Sequence, residues 1–173
     1  MLKTEIKGKI IFLKIKSFDI EFAKLLLKTL DENREYLEKW LDWVSETKTL
    51  DQSLNLLQEY KKGFENKKLM NYSIFLADEY IGDIAMFNID WNKKECEIGY
   101  WIIEKESNKG YTTEAITLIE HEIYNNWKFE KIIIKCENNN KSSNYLAKKF
   151  SYTFENEQKD RKITYLVYSK LKK

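Results

Sequence analysis

The most informative stretch of the chain is residues 95–136, which read ECEIGYWIIEKESNKGYTTEAITLIEHEIYNNWKFEKIIIKC. Apolar and β-branched residues at 95–103 and again at 131–136 predict two strands. Between them lie a polar loop around Gly110 and a helix over 113–126, whose apolar residues recur at helical spacing. A strand, a loop, a helix and a strand in this order form a right-handed crossover, so the two strands are predicted to be parallel.

The flanking sequence predicts antiparallel strands and additional helices around this crossover. An opening strand at 10–15 is followed by a helix that Asp19 can cap, a second helix carrying Tyr36, Leu37, Trp40, Leu41 and Val44, and a third helix over 51–62 that ends at Gly63. Strands at 71–77 and 81–89 form a hairpin that leads into 95–103, and after 131–136 come a helix at 142–150 and strands at 152–157 and 163–169. The predicted fold class is therefore α+β, with a mixed, mostly antiparallel sheet, one parallel strand pair and flanking helices.

Length and composition limit the class of protein. The 173 residues fit a single domain over 1–173, and 43% apolar with 34% charged residues is typical of a folded chain. The net charge is only +2, and Arg34 and Arg161 are the only arginines, so a dedicated, sequence-specific nucleic-acid binder is not predicted. The start lacks an apolar leader and the chain lacks a run of about 18 apolar residues, which predicts a cytoplasmic protein without membrane contact.

Cysteine and histidine offer little chemistry. Cys96 and Cys136 each lie in an aliphatic stretch, which favours two reduced thiols in a core, with a disulfide or a nucleophile as the alternatives. The single histidine, His121, lies in EHEIYNN, where Asn125 occupies the position that a zinc-protease motif needs for a second histidine. We interpret His121 as a helix-surface residue and predict no metal site.

The loop 107–112 is the best candidate for a binding site. Ligands of open sheets collect beyond the carboxyl ends of parallel strands, and this loop lies there and leads into a helix. Free amides and the partial positive charge of a helix N-terminus suit an anion such as a pyrophosphate, and Gly110 lets the backbone approach it closely. Lys109 adds charge, and Thr112 or Thr113 adds a hydroxyl. A plain connecting loop is the alternative interpretation.

Four segments in order resemble the GNAT acyltransferases, and specifically the RimJ/RimL-type N-acetyltransferases of ribosomal proteins. Residues 97–102 (EIGYWI) are similar to the family's "IGYW" strand, and residues 110–115 (GYTTEA) to its acetyl-coenzyme A loop and helix start. Residues 140–150 (NKSSNYLAKKF) resemble its "N-x-x-S…A-x-K-x-G-F" segment, and residues 33–43 (NREYLEKWLDW) fit its substrate-side helices. Ser107 and Thr112 depart from the pattern of the loop, and Asn108 and Ser151 stand where glycines are frequent.

The resemblance implies a fold in which the parallel strands splay apart and acetyl-coenzyme A, as the co-substrate, pairs with the free backbone groups. The implied main-chain contacts to its pantetheine arm are Trp101, Ile102 and Ile103, and the implied pyrophosphate contacts are Asn108, Lys109, Gly110, Tyr111, Thr112 and Thr113. The resemblance also implies that Asn140 and Ser143 lie beside the thioester, with Ser143 as the candidate acid for the departing thiolate; a hydroxyl that only caps the helix or contacts the cofactor is the alternative. Lys148 contacts either phosphate or solvent, and we favour solvent.

Glu97 is the candidate base that removes the proton of the ammonium group, directly or through a water molecule; an ordinary solvent-facing carboxylate is the alternative. The implied acceptor site is lined by Tyr36, Trp40, Trp43 and Phe87, although packing of a core would also explain these aromatic residues. We expect direct transfer of an acetyl group to a primary amine, first of all the N-terminal α-amino group of a ribosomal protein. A small amine or polyamine as acceptor and a non-catalytic acyl-coenzyme A-binding module are the alternatives, and the family leads us to expect a homodimer through the last strand.

Overall fold

Over residues 3–172, which the structure, a computed structural model, describes, the chain forms eight strands and five α-helices. The strands are β1 (Glu5–Lys7), β2 (Ile11–Ile15), β3 (Leu69–Leu76), β4 (Glu79–Asp90), β5 (Glu95–Ile102), β6 (Lys131–Glu137), β7 (Thr153–Asp160) and β8 (Ile163–Leu171). The helices are α1 (Ile20–Leu37), α2 (Asp42–Glu46), α3 (Leu50–Glu65), α4 (Tyr111–His121) and α5 (Lys141–Lys149). Residues 1, 2 and 173, which the single-domain prediction includes, lie outside the described residues.

The strands join into one mixed sheet in the order β1-β2-β3-β4-β5-β6-β8-β7. Each neighbouring pair is antiparallel except β5 and β6, which are parallel, so the predicted fold class and crossover are confirmed. The parallel ladder is short: it pairs 95–97 with 131–133 and then stops, although both strands continue. The splay that the resemblance implied is therefore present.

The sheet carries two hydrophobic clusters that fix the crossover and the N-terminal helices. The buried stripe of α4, with Ala115, Ile116 and Ile119, packs into the larger cluster, and Ile123 extends this stripe into a single π-helical turn at Glu122–Asn126. Helices α1 and α3 form the second cluster through Leu26, Leu30 and Leu57. Burying such aliphatic side chains stabilises the fold by about 1.5–3 kcal/mol each.

The N-terminal helices differ from the prediction. Tyr36 and Leu37 belong to α1, which runs through to Leu37, and only a five-residue helix, α2, follows. The cause is Arg34, whose guanidinium donates hydrogen bonds to the carbonyl oxygens of Val44 and Thr47 and so folds the segment back on α1. Asp19 caps α1 as predicted, by accepting a hydrogen bond from the amide of Phe22.

Three further features were predicted wrongly. Helix α3 continues through Gly63 to Glu65, because Asn66 caps its end through a hydrogen bond from its amide to the carbonyl oxygen of Lys62, so the last turn needs no glycine. Strand β1 was missed because three residues are too short to show an alternating pattern. Helix α4 begins at Tyr111, directly after Gly110, rather than at Thr113.

Both cysteines are free and buried, as predicted, and His121 is exposed on α4, as its interpretation as a helix-surface residue requires. Among residues 3–172, no helix is both long enough and apolar enough to cross a membrane.

Candidate active site

The gap between β5 and β6 leaves backbone groups without sheet partners. The amide of Ile103 donates to the carbonyl oxygen of Ile81 in β4, and backbone groups of successive strand residues point to alternate edges. The backbone of Trp101 therefore also faces β4, whereas the backbones of Tyr100 and Ile102 face the gap. Beyond Glu97 this gap has no ladder to β6, so Tyr100 and Ile102 offer free amides and carbonyls.

This alternation corrects two of the expected contacts. Ile103 has no free backbone group, because its carbonyl oxygen also accepts a hydrogen bond from the amide of Glu106. Trp101 uses its backbone toward β4, so only its side chain is available to a ligand. The backbone of Ile102 faces the gap, as its expected contact requires, and so does the backbone of Tyr100, which the sequence analysis did not name. The sequence signal that points to Tyr100 is the alternation of strand residues between the two edges, if the residues are counted outward from the parallel ladder.

The loop before α4 ends in a glycine with a left-handed backbone. Gly110 has φ +93° and precedes α4 without any side-chain cap, so the amides of the first turn, at Tyr111, Thr112 and Thr113, remain free. Asn108 has φ +60° and Ser151 has φ +62°. The two positions where the family favours glycine thus keep the left-handed backbone that a glycine adopts easily, although each now carries a side chain.

These elements enclose a cavity of about 750 Å³, which we call the loop cavity. It is lined by loop 107–112, the starts of α4 and α5, the end of β5 and the turn after α1. The expected cofactor contacts that line the loop cavity are Trp101, Ile102, Asn108, Gly110, Thr112, Thr113, Asn140 and Ser143. Lys109 does not line it, since its ammonium lies 3.1 Å from the carboxylate of Glu106, and Tyr111 packs instead against the larger hydrophobic cluster.

A lysine that the sequence analysis did not single out, Lys149, lines the loop cavity beside the start of α4. The ammonium of Lys149 donates to the hydroxyl of Thr113 at 3.3 Å, so it adds a positive charge beside the free amides of α4. Lys148, one residue earlier, is exposed and does not line the cavity, as expected. The rotation of α5 about its axis decides which of the two lysines faces the cavity. The predicted helix is displaced by one residue, 142–150 instead of 141–149, and therefore does not show this.

A second cavity, of about 380 Å³, lies on the face of the sheet that carries Trp101, and we call it the sheet cavity. Trp43 and Phe87 line it, Trp40 lines both cavities, and Tyr36 lines only the loop cavity. Gly99 opens the space, because a Cβ there would lie 3.0 Å from the ring of Phe87. The two cavities share Trp40, Leu41, Tyr100, Trp101, Asn140 and Ser143.

Ser143 lies where the two cavities meet. Its hydroxyl is 3.0 Å from that of Tyr100, and its amide donates to the side chain of Asn140, which caps α5. Burial raises the pKa of the Tyr100 hydroxyl, so this group stays protonated at neutral pH. Cys136, although buried, borders the sheet cavity beside Ser143. The junction therefore presents two protonated hydroxyls to a ligand that spans both cavities.

Glu97 lies on the same face of the sheet as Phe87 and Gly99, but it does not line the sheet cavity. Its carboxylate accepts a hydrogen bond from the amide of Asn88 at 3.0 Å. Burial raises the pKa of Glu97, an effect that this hydrogen bond and the nearby Lys135 oppose. A carboxylate with a raised pKa at the edge of the cavity can take up a proton, and from this position a water molecule would carry it.

Comparison with known proteins decides the family. A family model described as the acetyltransferase (GNAT) domain matches residues 13–153. The chain belongs to the GNAT acetyltransferase family. It is 25% identical over 133 residues to the ribosomal-protein-serine acetyltransferase of Escherichia coli K12, covering 77% of this chain and 74% of that protein. The expected RimJ/RimL type and the enzyme class, an acetyl-coenzyme A-dependent N-acetyltransferase, are confirmed.

Solved structures share the GNAT fold closely. RimL, the ribosomal L7/L12 α-N-protein acetyltransferase in complex with coenzyme A, superposes with a TM-score of 0.89 at 20% identity, covering 96% of this chain and 97% of that one. The microcin C7 self-immunity acetyltransferase MccE, in complex with acetyl-CoA and AMP, gives 0.86 at 22% identity over 95% and 93%. Mycobacterium smegmatis RimJ gives 0.83 at 14% identity over 93% and 81%.

The residues of this chain fit the co-substrate of the family. Tyr100 and Ile102 offer free backbone groups to an arm that contains amides, and the uncapped start of α4 offers amides to a diphosphate. Lys149 adds a cation at that end. When bound, acetyl-coenzyme A supplies an activated acetyl group, and the protein has to position it, orient the amine and manage two protons.

Proposed function

We propose that this N-acetyltransferase modifies the N-terminal α-amino group of a protein, with a ribosomal protein as the first candidate. The observation that carries the proposal is the sheet cavity, which meets the loop cavity at Ser143 and provides a separate space for an acceptor. The relative that matches 77% of this chain is a ribosomal-protein-serine acetyltransferase, which supports a protein acceptor. A reaction on ribosomal proteins would take place in the cytoplasm, where we place this enzyme.

In the proposed mechanism, the acceptor loses a proton before it attacks. The ammonium group transfers a proton through water to Glu97, and the neutral nitrogen attacks the thioester carbonyl carbon. The new carbon–nitrogen bond forms as the carbon–sulfur bond breaks, and the sulfur leaves as a thiolate. The nitrogen gives up its second proton as the amide forms, this proton passes through the hydroxyls of Tyr100 and Ser143, 3.0 Å apart, to the thiolate, and Glu97 returns its own proton to water. No acetyl-enzyme is needed, so the transfer is direct.

A small cationic amine or a polyamine is the second candidate acceptor, and two carboxylates favour it. Glu137 lines the sheet cavity, and its pKa is raised by burial and by the nearby Asp42 carboxylate. Two carboxylates close together attract a cation, so this part of the cavity can hold the second ammonium of a polyamine. The matched relative points to a protein acceptor, and we therefore keep the protein N-terminus as the main proposal.

A panel of acceptors tests the proposal. Thiol release from acetyl-coenzyme A is measured with peptides that copy the N-termini of ribosomal proteins and with spermidine, and mass spectrometry locates the acetyl group. We expect acetylation at the α-amino group of peptides. Turnover with spermidine but no peptide would favour the second candidate, and tight binding of acetyl-coenzyme A with no turnover at all would indicate a non-catalytic module.

The role of Ser143 is tested separately. Ser143→Ala should lower kcat by about 10²-fold or more, the usual contribution of a positioned acid, while the Kd for acetyl-coenzyme A changes little. Tyr100→Phe keeps the ring and the backbone contact and removes only the neighbouring hydroxyl, so we expect a smaller loss. An unchanged kcat in Ser143→Ala removes this residue from the mechanism.

A further inference from the structure

The inner wall of the sheet cavity contains a polar cluster that the mechanism does not use. Asp83 on β4 is the direct cross-strand partner of Ser73 on β3, and Asn71 lies two residues before Ser73 on the same face. The amide of Lys16 donates to the carbonyl oxygen of Asn71, which continues the row past the end of β2. Lys16, Asn71, Ser73 and Asp83 are all buried, and Asp83 and Asn71 line the sheet cavity. We call these four residues the polar wall.

The charges of the polar wall are already balanced. The ammonium of Lys16 lies 2.8 Å from one carboxylate oxygen of Asp83, Oδ2, and donates to the hydroxyl of Tyr80 at 3.4 Å. The rings of Phe22, Tyr60 and Tyr80 surround this ammonium at 4.7, 5.9 and 5.5 Å. Burial lowers the pKa of Lys16, and the Asp83 carboxylate opposes that effect. A second cation bound to Asp83 would therefore meet the ammonium of Lys16 at close range.

Hydrogen-bond acceptors remain open beside this balanced pair. Among the residues that the structure describes, Asp83 Oδ1, Asn71 Oδ1 and the Ser73 hydroxyl are buried without a hydrogen-bond partner. The hydroxyl of Tyr80 can turn its proton toward the Asp83 carboxylate, but no donor lies within hydrogen-bond distance of Oδ1. A buried polar atom without a hydrogen-bond partner is unfavourable, so three in one row point to a donor that arrives with a ligand.

We propose that the polar wall is a subsite for an uncharged hydrogen-bond donor of the acceptor, such as a hydroxyl or a carboxamide placed next to its amine. This inference rests on the proposed function, because it takes the sheet cavity as the acceptor site. The unpaired oxygens of Asp83 and Asn71 can each accept a hydrogen bond from a donor of the ligand. The positive charge of Lys16 repels a donor that is itself cationic. For a protein N-terminus, this donor belongs to the side chain of the first residue. Asp83 and Asn71 are thus specificity-determining residues.

Matched acceptors test the inference. The value of kcat/KM is measured for peptides that differ only in their first residue, serine against alanine and threonine against valine, and for serinamide against alaninamide. The wild-type enzyme should prefer the hydroxyl-bearing member of each pair by about tenfold or more. The acceptor without the hydroxyl cannot donate a hydrogen bond to the Asp83 carboxylate, so the oxygens of the polar wall stay unpaired. A lysine-first peptide should react more slowly than the serine-first peptide.

Two variants assign the preference to the polar wall. Asn71→Val removes one open oxygen and keeps the ion pair, so it avoids leaving a buried charge unpaired. Lys16→Met/Asp83→Val removes the pair as a whole. Both should reduce the serine-to-alanine ratio toward one, while the Kd for acetyl-coenzyme A stays near wild type. Asn55→Ala, an exposed position on α3, should leave the ratio unchanged.

The outcomes separate the inference from the proposed function. A wild-type ratio near one, a preference for the lysine-first peptide, or a ratio that survives in Asn71→Val and in the double variant would overturn the inference. If the amides react and the peptides do not, the proposed protein acceptor is wrong, and the serinamide-to-alaninamide ratio still decides on the polar wall. If no amine of either kind reacts, both the proposed function and the inference are overturned.

Discussion

Gly110→Ala should weaken the binding of acetyl-coenzyme A without blocking its site. Gly110 has φ +93°, a conformation that an L-residue adopts at a cost of about 1–2 kcal/mol. An added Cβ meets nothing within 4 Å, so steric overlap plays no part and no neighbour holds the residue in place. The loop should therefore relax in the free enzyme and present the amides of 111–113 in a different direction.

The size of the effect follows from this strain. Binding of the diphosphate has to restore the left-handed backbone at residue 110, so the 1–2 kcal/mol of strain appears in the binding free energy. At about 1.4 kcal/mol for each factor of ten, the Kd should rise about five- to thirtyfold. Isothermal titration calorimetry with coenzyme A and with acetyl-coenzyme A measures this change.

A co-substrate without the diphosphate provides the control. S-Acetylpantetheine can still pair with the backbone of Tyr100 and Ile102 but does not reach the start of α4, so Gly110→Ala should leave its kcat/KM unchanged. The reasoning is refuted if the Kd for coenzyme A does not change, or if kcat/KM for S-acetylpantetheine falls as much as that for acetyl-coenzyme A. In the first case the amides of α4 do not bind the diphosphate, and in the second the substitution acts through the whole site.

Further predictions concern a base, two strained residues and a lysine. If Glu97 is the base, kcat/KM falls as the pH drops through its raised pKa, and Glu97→Gln removes this limb of the pH–rate profile. Because the carboxyl pKa of Glu97 is raised, the free energy of unfolding of the wild-type enzyme should fall as the pH rises through that pKa. Urea unfolding at several pH values should show that Glu97→Gln lacks this fall. Ser151→Gly should stabilise the enzyme by about 1 kcal/mol in urea unfolding, and Asn108→Gly by less, because asparagine tolerates a left-handed backbone better. Lys149→Met should raise the Kd for coenzyme A several-fold at low salt and less at high salt, whereas Lys148→Met should not.

The sheet and the crossover could be predicted from the sequence because their signals are local. Alternating apolar residues give the strands, and a loop and a helix between two of them require a parallel pair. The segment after α1 could not be predicted in this way. Its aromatic and aliphatic residues keep helical spacing, but Arg34 reaches across to Val44 and Thr47 and divides the segment, and a contact between distant residues has no periodicity.

The candidate site was predicted better by residue type than by orientation. Gly110, Asn140 and Ser143 have the expected places because each is tied to the start of a helix. Of the expected backbone contacts, Ile102 faces the gap, whereas Trp101 and Ile103 face β4 and Tyr100 takes their place, since the edge to which a residue points depends on the ladder with β4, which the sequence does not show. The polar wall was missed for a related reason, because its members come from β3, β4 and the residue after β2, which only the register brings together.

A crystal structure of the enzyme with acetyl-coenzyme A provides the clearest test of the site. The gap between β5 and β6 should remain open, with the pantetheine amides within about 3.2 Å of backbone groups of Tyr100 and Ile102 and the diphosphate on the amides of 111–113. The thioester should lie beside Ser143, with the sheet cavity free for an acceptor. A co-substrate bound outside the gap, or a gap closed by a continuous ladder between the two strands, would contradict the account.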